Sequence, residues 1–160
     1  MHLLHYKNTI NGESMVASYE DGQKVLVNKL PVTFARINGT GFIPKRGEVV
    51  VAHPSYGESM DDAEAKDEMI IKRVIGLPGE TVTISNGSIR IFNTEYAEGF
   101  DPAASMTWAA NVQADDSLDM ITITLAENEI FLVGDNRPVS IDSRFNGPVN
   151  TTQLIGVAIQ

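Results

Sequence analysis

A lysine set among apolar residues on a strand is a candidate base. In the run Met69 to Ile75, alternation puts Ile70, Lys72 and Val74 on one face and Met69, Ile71, Arg73 and Ile75 on the other. Burial on such a face disfavours the ammonium and lowers its pKa by up to roughly 3–5 units. A neutral amine at physiological pH can act as a general base. The plain alternative is an edge lysine that reaches water along its own stem. A nucleophile to match would be Ser14, in Gly12-Glu13-Ser14-Met15, just after the short run Thr9-Ile10. Glycine there permits the close backbone approach an oxyanion site needs. The same tetrapeptide recurs at Gly57 to Met60, so an ordinary turn serine fits as well. A third cluster, Gly134 to Arg144, packs two Asp, two Arg, two Ser and one Asn behind a strongly apolar run. It reads either as a buried network that orients something or as a solvated turn with weak surface ion pairs.

Other chemistries fit less well. There is no cysteine, which excludes disulfides, thiolate metal sites and a Cys nucleophile. His2, His5 and His53 match no zinc spacing, and none is well placed for a Ser–His–Asp triad, so no metal and no cofactor is expected. With 12 Lys+Arg against 21 Asp+Glu, the net charge of -9 argues against nucleic acid as a partner. No apolar run approaches the roughly 18 residues that would span a bilayer.

The elements that must hold these residues are mostly strands. At 160 residues, 42% hydrophobic and 21% charged, the chain suits one domain or one domain with a small appended lobe. Strands are expected at 24–27, 48–52, 68–75, 81–84, 88–92, 120–125, 129–133 and 154–159. Asn86-Gly87 between two of them is a strong hairpin signal, since both turn residues need positive φ. Helical periodicity is weak throughout, and the best stretch, 61–67, reads as a loop within an acidic segment. Residues 93–119 are acidic, Ala-rich and weakly patterned, and read as an insertion or small lobe. The fold class is therefore all-β and mainly antiparallel.

Taken in order, the three clusters resemble the type I signal peptidase family. Gly12 to Val27 looks like its serine box. Ile71-Lys72-Arg73-Val74-Ile75-Gly76-Leu77-Pro78-Gly79-Glu80 looks like its lysine box, nearly residue for residue. Gly134-Asp135-Asn136-Arg137 with Ser140, Asp142-Ser143-Arg144 and Gly147 looks like its third box. The resemblance runs from about residue 11 to 159.

It implies a membrane-associated serine endopeptidase with a β-sheet or barrel fold and an insertion between the lysine and third boxes. Ser14 would be the nucleophile and Lys72 the general base, releasing signal peptides from exported preproteins after small residues. Ser140 matches the position that orients the lysine. Asp142 and Arg144 match a structural ion pair behind it, with Asp135 and Arg137 in the same scaffold. The Ser14 N–H would be one oxyanion donor. Gly12 stands where some members carry a second, hydroxyl donor. Met15, Ile70 and Val74 could line the substrate pockets or simply pack the core. The substrate would add to a sheet edge as an extended strand.

Two departures stand out. Many members carry Pro-Thr-Leu where this chain has Ala17-Ser18-Tyr19. The family also places one or two membrane helices before the serine box, whereas 13 residues precede Ser14 here. Residues 1–10 are thus expected to follow a missing anchor, with 11–160 as the catalytic domain. Its place would be the extracytoplasmic side of the cell membrane, against the bilayer surface. Three rivals share parts of the pattern. A self-cleaving repressor lacks a cluster like Gly134 to Arg144, and a maturation protease of a plasmid transfer system shares the chemistry. A catalytically idle homologue acting in pilus or secretion assembly typically loses the nucleophile or the base, and both are present here.

Overall fold

The computed structural model describes residues 5–53, 69–104 and 120–159. The acidic stretch 61–67 lies outside these residues, as does the part of the 93–119 segment beyond residue 104.

Among the described residues, ten strands form two antiparallel sheets. The larger contains β1 (His5–Thr9), β2 (Lys24–Asn28), β3 (Val49–Ala52), β4 (Ile70–Gly76), β8 (Glu129–Val133), β9 (Val149–Asn150) and β10 (Leu154–Ile159). Its order is β1-β2-β10-β3-β4-β8-β9. The smaller comprises β5 (Thr81–Ser85), β6 (Ser88–Phe92) and β7 (Ile121–Thr124), with β5 in the centre. The β5–β6 hairpin turns through Asn86 and Gly87, at φ 48° and 71°, with Ser85 opposite Ser88. That is the two-residue connection the dipeptide prescribes. Phe100 bridges back to Ile91, so the chain after β6 folds against its own hairpin.

β4 is the element that matters most. It lies inside the large sheet between β3 and β8, and every residue after Ile70 is buried. Apolar side chains leave the large sheet on both faces. One face gathers Ile10, Met15, Tyr19, Val25, Val27, Val49, Val51 and Ile71. The other gathers Val32, Val50, Ala52, Val74, Ile130, Leu132, Val149 and Leu154. A third cluster around Ile75, Val82, Ile91, Leu125 and Phe131 joins the two sheets. Central strands with two buried faces read as continuous apolar runs, which is the pattern of 49–52 and 129–133.

Little helix accompanies the strands, in keeping with the mainly antiparallel β class expected. Helix α1 spans Leu30–Ile37, and a single turn, α2, spans Ser143–Asn146. α1 starts on a proline in its first turn, a position where the missing N–H does no harm. It turns Leu30, Phe34 and Ile37 to solvent and leaves Val32 and Ala35 to the core; at eight residues it gives a periodic pattern barely two turns in which to show.

Candidate active site

Ser14 lies in a tight turn that follows Ile10. The turn closes on itself through Val16 N–H to the Glu13 carbonyl, and through the Ser18 and Tyr19 amides to the Met15 carbonyl. Met15 and Tyr19 are buried in the first core cluster and anchor the turn from below. Ser14 itself stays half-buried. Its backbone N–H has no hydrogen-bond acceptor among the described residues, so it is available to an incoming oxygen.

Lys72 comes from β4, directly opposite Val50. Its side chain is almost wholly sequestered, at 5% exposure. Nζ reaches Ser14 Oγ at 2.8 Å, across 58 positions of sequence, and also donates to the Ile71 carbonyl at 3.1 Å. The desolvated amine and the hydroxyl are therefore within proton-transfer distance.

The loop after β8 clamps the serine turn. Asn136 donates its backbone N–H to the Ser14 carbonyl at 3.0 Å and its side-chain amide to the Glu13 carbonyl at 3.0 Å. Gly134 is wedged beneath: a Cβ there would overlap the Ser140 side chain and lie 2.6 Å from the Ser14 carbonyl oxygen. Asp142 organises the rest. It is fully buried, caps α2, and accepts from Ser140 Oγ at 2.7 Å, Gly134 N–H at 2.9 Å and Arg144 Nε at 2.9 Å. Arg144 also holds the Arg137 and Ser140 carbonyls. A carboxylate with this many donors is a rigid post, not a surface ion pair. The polar knot at Gly134 to Arg144 is thus a buried network.

A second buried pair ties β4 to this loop. Arg73 binds Asp135 through Nη2 at 2.5 Å and Nε at 2.8 Å. Ser18 joins both, donating to Asp135 and accepting from Arg73. The altered Ala17-Ser18-Tyr19 stretch therefore links all three boxes through its hydroxyl. Arg137 is pushed down to about 10 by burial and by the charge of Arg144, against the pull of Asp142, Asp135 and Asp101. It still carries its charge at neutral pH.

Several expectations are placed differently. The Gly12 N–H is taken by the Asp21 carboxylate at 2.7 Å, so it cannot serve as an oxyanion donor in this arrangement. Met15 and Val74 expose no surface and pack in separate core clusters. Ile70 is half-buried at the start of β4. Asp135 pairs with Arg73. The roles of Asn136, Ser18 and Arg73 do not show in their residue types. An arginine inside an apolar strand was the one usable signal, since a buried guanidinium requires a partner. Among the described residues, no group of three or more His, Asp or Glu could hold a metal ion.

The family model described as signal peptidase, peptidase S26, matches residues 2–160. The chain belongs to this family. Signal peptidase I V of Bacillus subtilis (strain 168) is 31% identical over 151 residues, covering 92% of this chain and 80% of the relative. Signal peptidase I of Leptolyngbya laminosa is 32% identical over 152 residues, covering 94% of this chain and 64% of the relative. A signal peptidase I of known structure from Enterococcus faecalis V583 is 29% identical, with a TM-score of 0.49. The match covers 71% of this chain and 95% of that one. No helix among the described residues is long and apolar enough to cross a membrane.

Proposed function

We propose that this chain is a serine endopeptidase of the signal peptidase I type in which Ser14 is the nucleophile and Lys72 the general base. Membership of the signal peptidase family supports the removal of signal peptides from preproteins as its activity. The observation that carries the residue roles is the 2.8 Å contact between a buried amine and a hydroxyl on a separately anchored turn.

The chemistry follows from that contact. Burial strips the ammonium of hydration and favours the neutral amine. Neutral Lys72 takes the Ser14 proton as Oγ attacks the scissile carbonyl carbon. The Ser14 N–H faces the resulting oxyanion. On collapse the C–N bond breaks, and the Lys72 ammonium returns its proton to the leaving amine. An acyl-enzyme remains on Ser14. Water, deprotonated by the same lysine, attacks the ester and frees the carboxylate and Oγ. Ser140 is held by its hydrogen bond to Asp142, and Arg144 holds Asp142 in place.

The substrate is read as an extended peptide with small residues before the cut, added as a strand beside the serine turn. The catalytic domain works at a lipid bilayer surface, on the extracytoplasmic side. The test is cleavage of a preprotein carrying an Ala-x-Ala signal by wild type, Ser14→Ala and Lys72→Ala. Wild type should cleave at the signal junction and both variants should be inactive. Undiminished cleavage by Ser14→Ala would overturn the dyad.

A further inference from the structure

Asn136 holds the nucleophile turn on both sides of Ser14. Its backbone N–H donates to the Ser14 carbonyl at 3.0 Å, and its side-chain amide to the Glu13 carbonyl at 3.0 Å. The Glu13 carbonyl has a special place. It belongs to the same peptide unit as the Ser14 N–H, the group open to an incoming oxygen. In a trans peptide the C=O and the N–H lie in one plane and point in opposite directions. A donor fixed on the oxygen therefore sets where the hydrogen points. A carbonyl oxygen can only accept, so the nitrogen end of the Asn136 amide must face it. The Val16 N–H takes the second lone pair of that oxygen, at 3.1 Å.

Asn136 is itself anchored from behind. Its carbonyl accepts the Ser140 N–H at 3.1 Å, and Ser140 Oγ is held on the buried Asp142. The carboxylate network so reaches the front of the site through one residue. Hydrogen bonds in series polarise one another, so a donor on the Glu13 oxygen also strengthens the Ser14 N–H as a donor. The Gly12 N–H, two residues earlier, is taken by Asp21 and cannot share that role.

We propose that Asn136 is the positioning residue of the oxyanion site: its side-chain amide grips the Glu13–Ser14 peptide by the carbonyl and so aims the Ser14 N–H at the oxygen that gains charge during attack. The inference deepens the Ser14–Lys72 mechanism proposed above and rests on it. Charge on that oxygen develops only as the transition state is reached, so the aim of the N–H matters little to bound substrate and most to the reacting complex. The contribution belongs to kcat. A residue that merely holds the loop together would lower stability without that selectivity.

The test is cleavage of a signal-peptide substrate by wild type and by Asn136→Ala, which keeps the backbone bond to Ser14 and loses the side-chain bond to Glu13. kcat should fall about 10- to 100-fold, short of the roughly 100- to 1,000-fold that deleting an oxyanion donor costs. KM should stay within about twofold of wild type. A peptide aldehyde ending in alanine adds to Ser14 and carries an oxygen at the oxyanion position. Its affinity should fall by the same factor as kcat/KM. The pH at which kcat/KM levels off should not move, because the effect does not pass through Lys72. Asn136→Asp has the same shape but sets a carboxylate oxygen against the Glu13 carbonyl. It should lose at least as much, and it carries the test if the alanine variant folds poorly. Val139→Ala, at an exposed position on the same loop, should cleave as wild type. Three outcomes would overturn the proposal. They are an undiminished kcat in either Asn136 variant, a loss confined to KM, and an aldehyde affinity that holds while kcat falls. Cleavage by Ser14→Ala would strike the dyad itself, whereas an inactive Ser14→Ala beside a fully active Asn136→Ala would strike this inference alone.

Discussion

Arg73 and Asp135 form a two-pronged ion pair inside the protein, joining β4 to the loop that follows β8. Arg73 is the residue after Lys72, so the pair fixes the backbone that carries the proposed base. Removing one partner strands the other charge where water cannot reach it. Asp135→Ala should therefore cost about 3–5 kcal/mol in urea unfolding. An apolar replacement of the pair, Arg73→Met with Asp135→Leu, should recover much of that loss. Ser18, which bonds to both, sets the limit on recovery.

Gly134 is the tightest point between nucleophile and scaffold. An alanine methyl there has nowhere to go except into the Ser140 side chain and the Ser14 carbonyl. One of them must move, and a shift near 1 Å at reacting groups is worth about 100-fold in rate. Gly134→Ala should thus lower kcat by about that factor with a smaller stability loss of about 1–3 kcal/mol. Single-turnover kinetics beside a thermal melt would separate the two effects.

Glu80 predicts how the fold responds to acid. Burial alone would raise its carboxyl, but hydrogen bonds from Arg46, Asn93 and the Leu77 amide, with the Arg46 charge, hold it below the usual value. A carboxyl depressed in the folded state stabilises above its unfolded pKa, and that contribution fades as pH falls through the folded one. Glu80→Gln should be about 1–3 kcal/mol less stable at pH 7, since Arg46 loses its partner. The gap to wild type should narrow below about pH 4. Urea midpoints across pH 3–7 check both limbs.

The parts legible in the sequence share a physical trait: their side chains state their own environment. Within β8, Ile130 to Val133 is an unbroken apolar run because both faces of that strand meet core. Asn86-Gly87 names its turn. Ser14 and Lys72 were paired by resemblance, and the fold brings them together. What stayed hidden depends on backbone or on partners far along the chain. Asn136 holds Ser14 through its main-chain amide, which leaves no trace in side-chain type. Asp135 could have served Arg137 or Arg73, and only the fold decides. β9 is two residues long, below any pattern. α1 is only eight residues long, so its periodic pattern is too short to stand out from sequence.

The protonation of Lys72 gives the last prediction. If the free amine is the base, the productive enzyme is the deprotonated fraction. The logarithm of kcat/KM should then rise with pH at a slope near one until the lysine has lost its proton, and level off above. Lys72→Arg keeps the charge and the reach of the side chain but cannot give up its proton, so it should lose at least about 100-fold. A profile flat down to pH 5 would mean that no group titrating in that range limits the reaction, and the neutral-amine mechanism would fail.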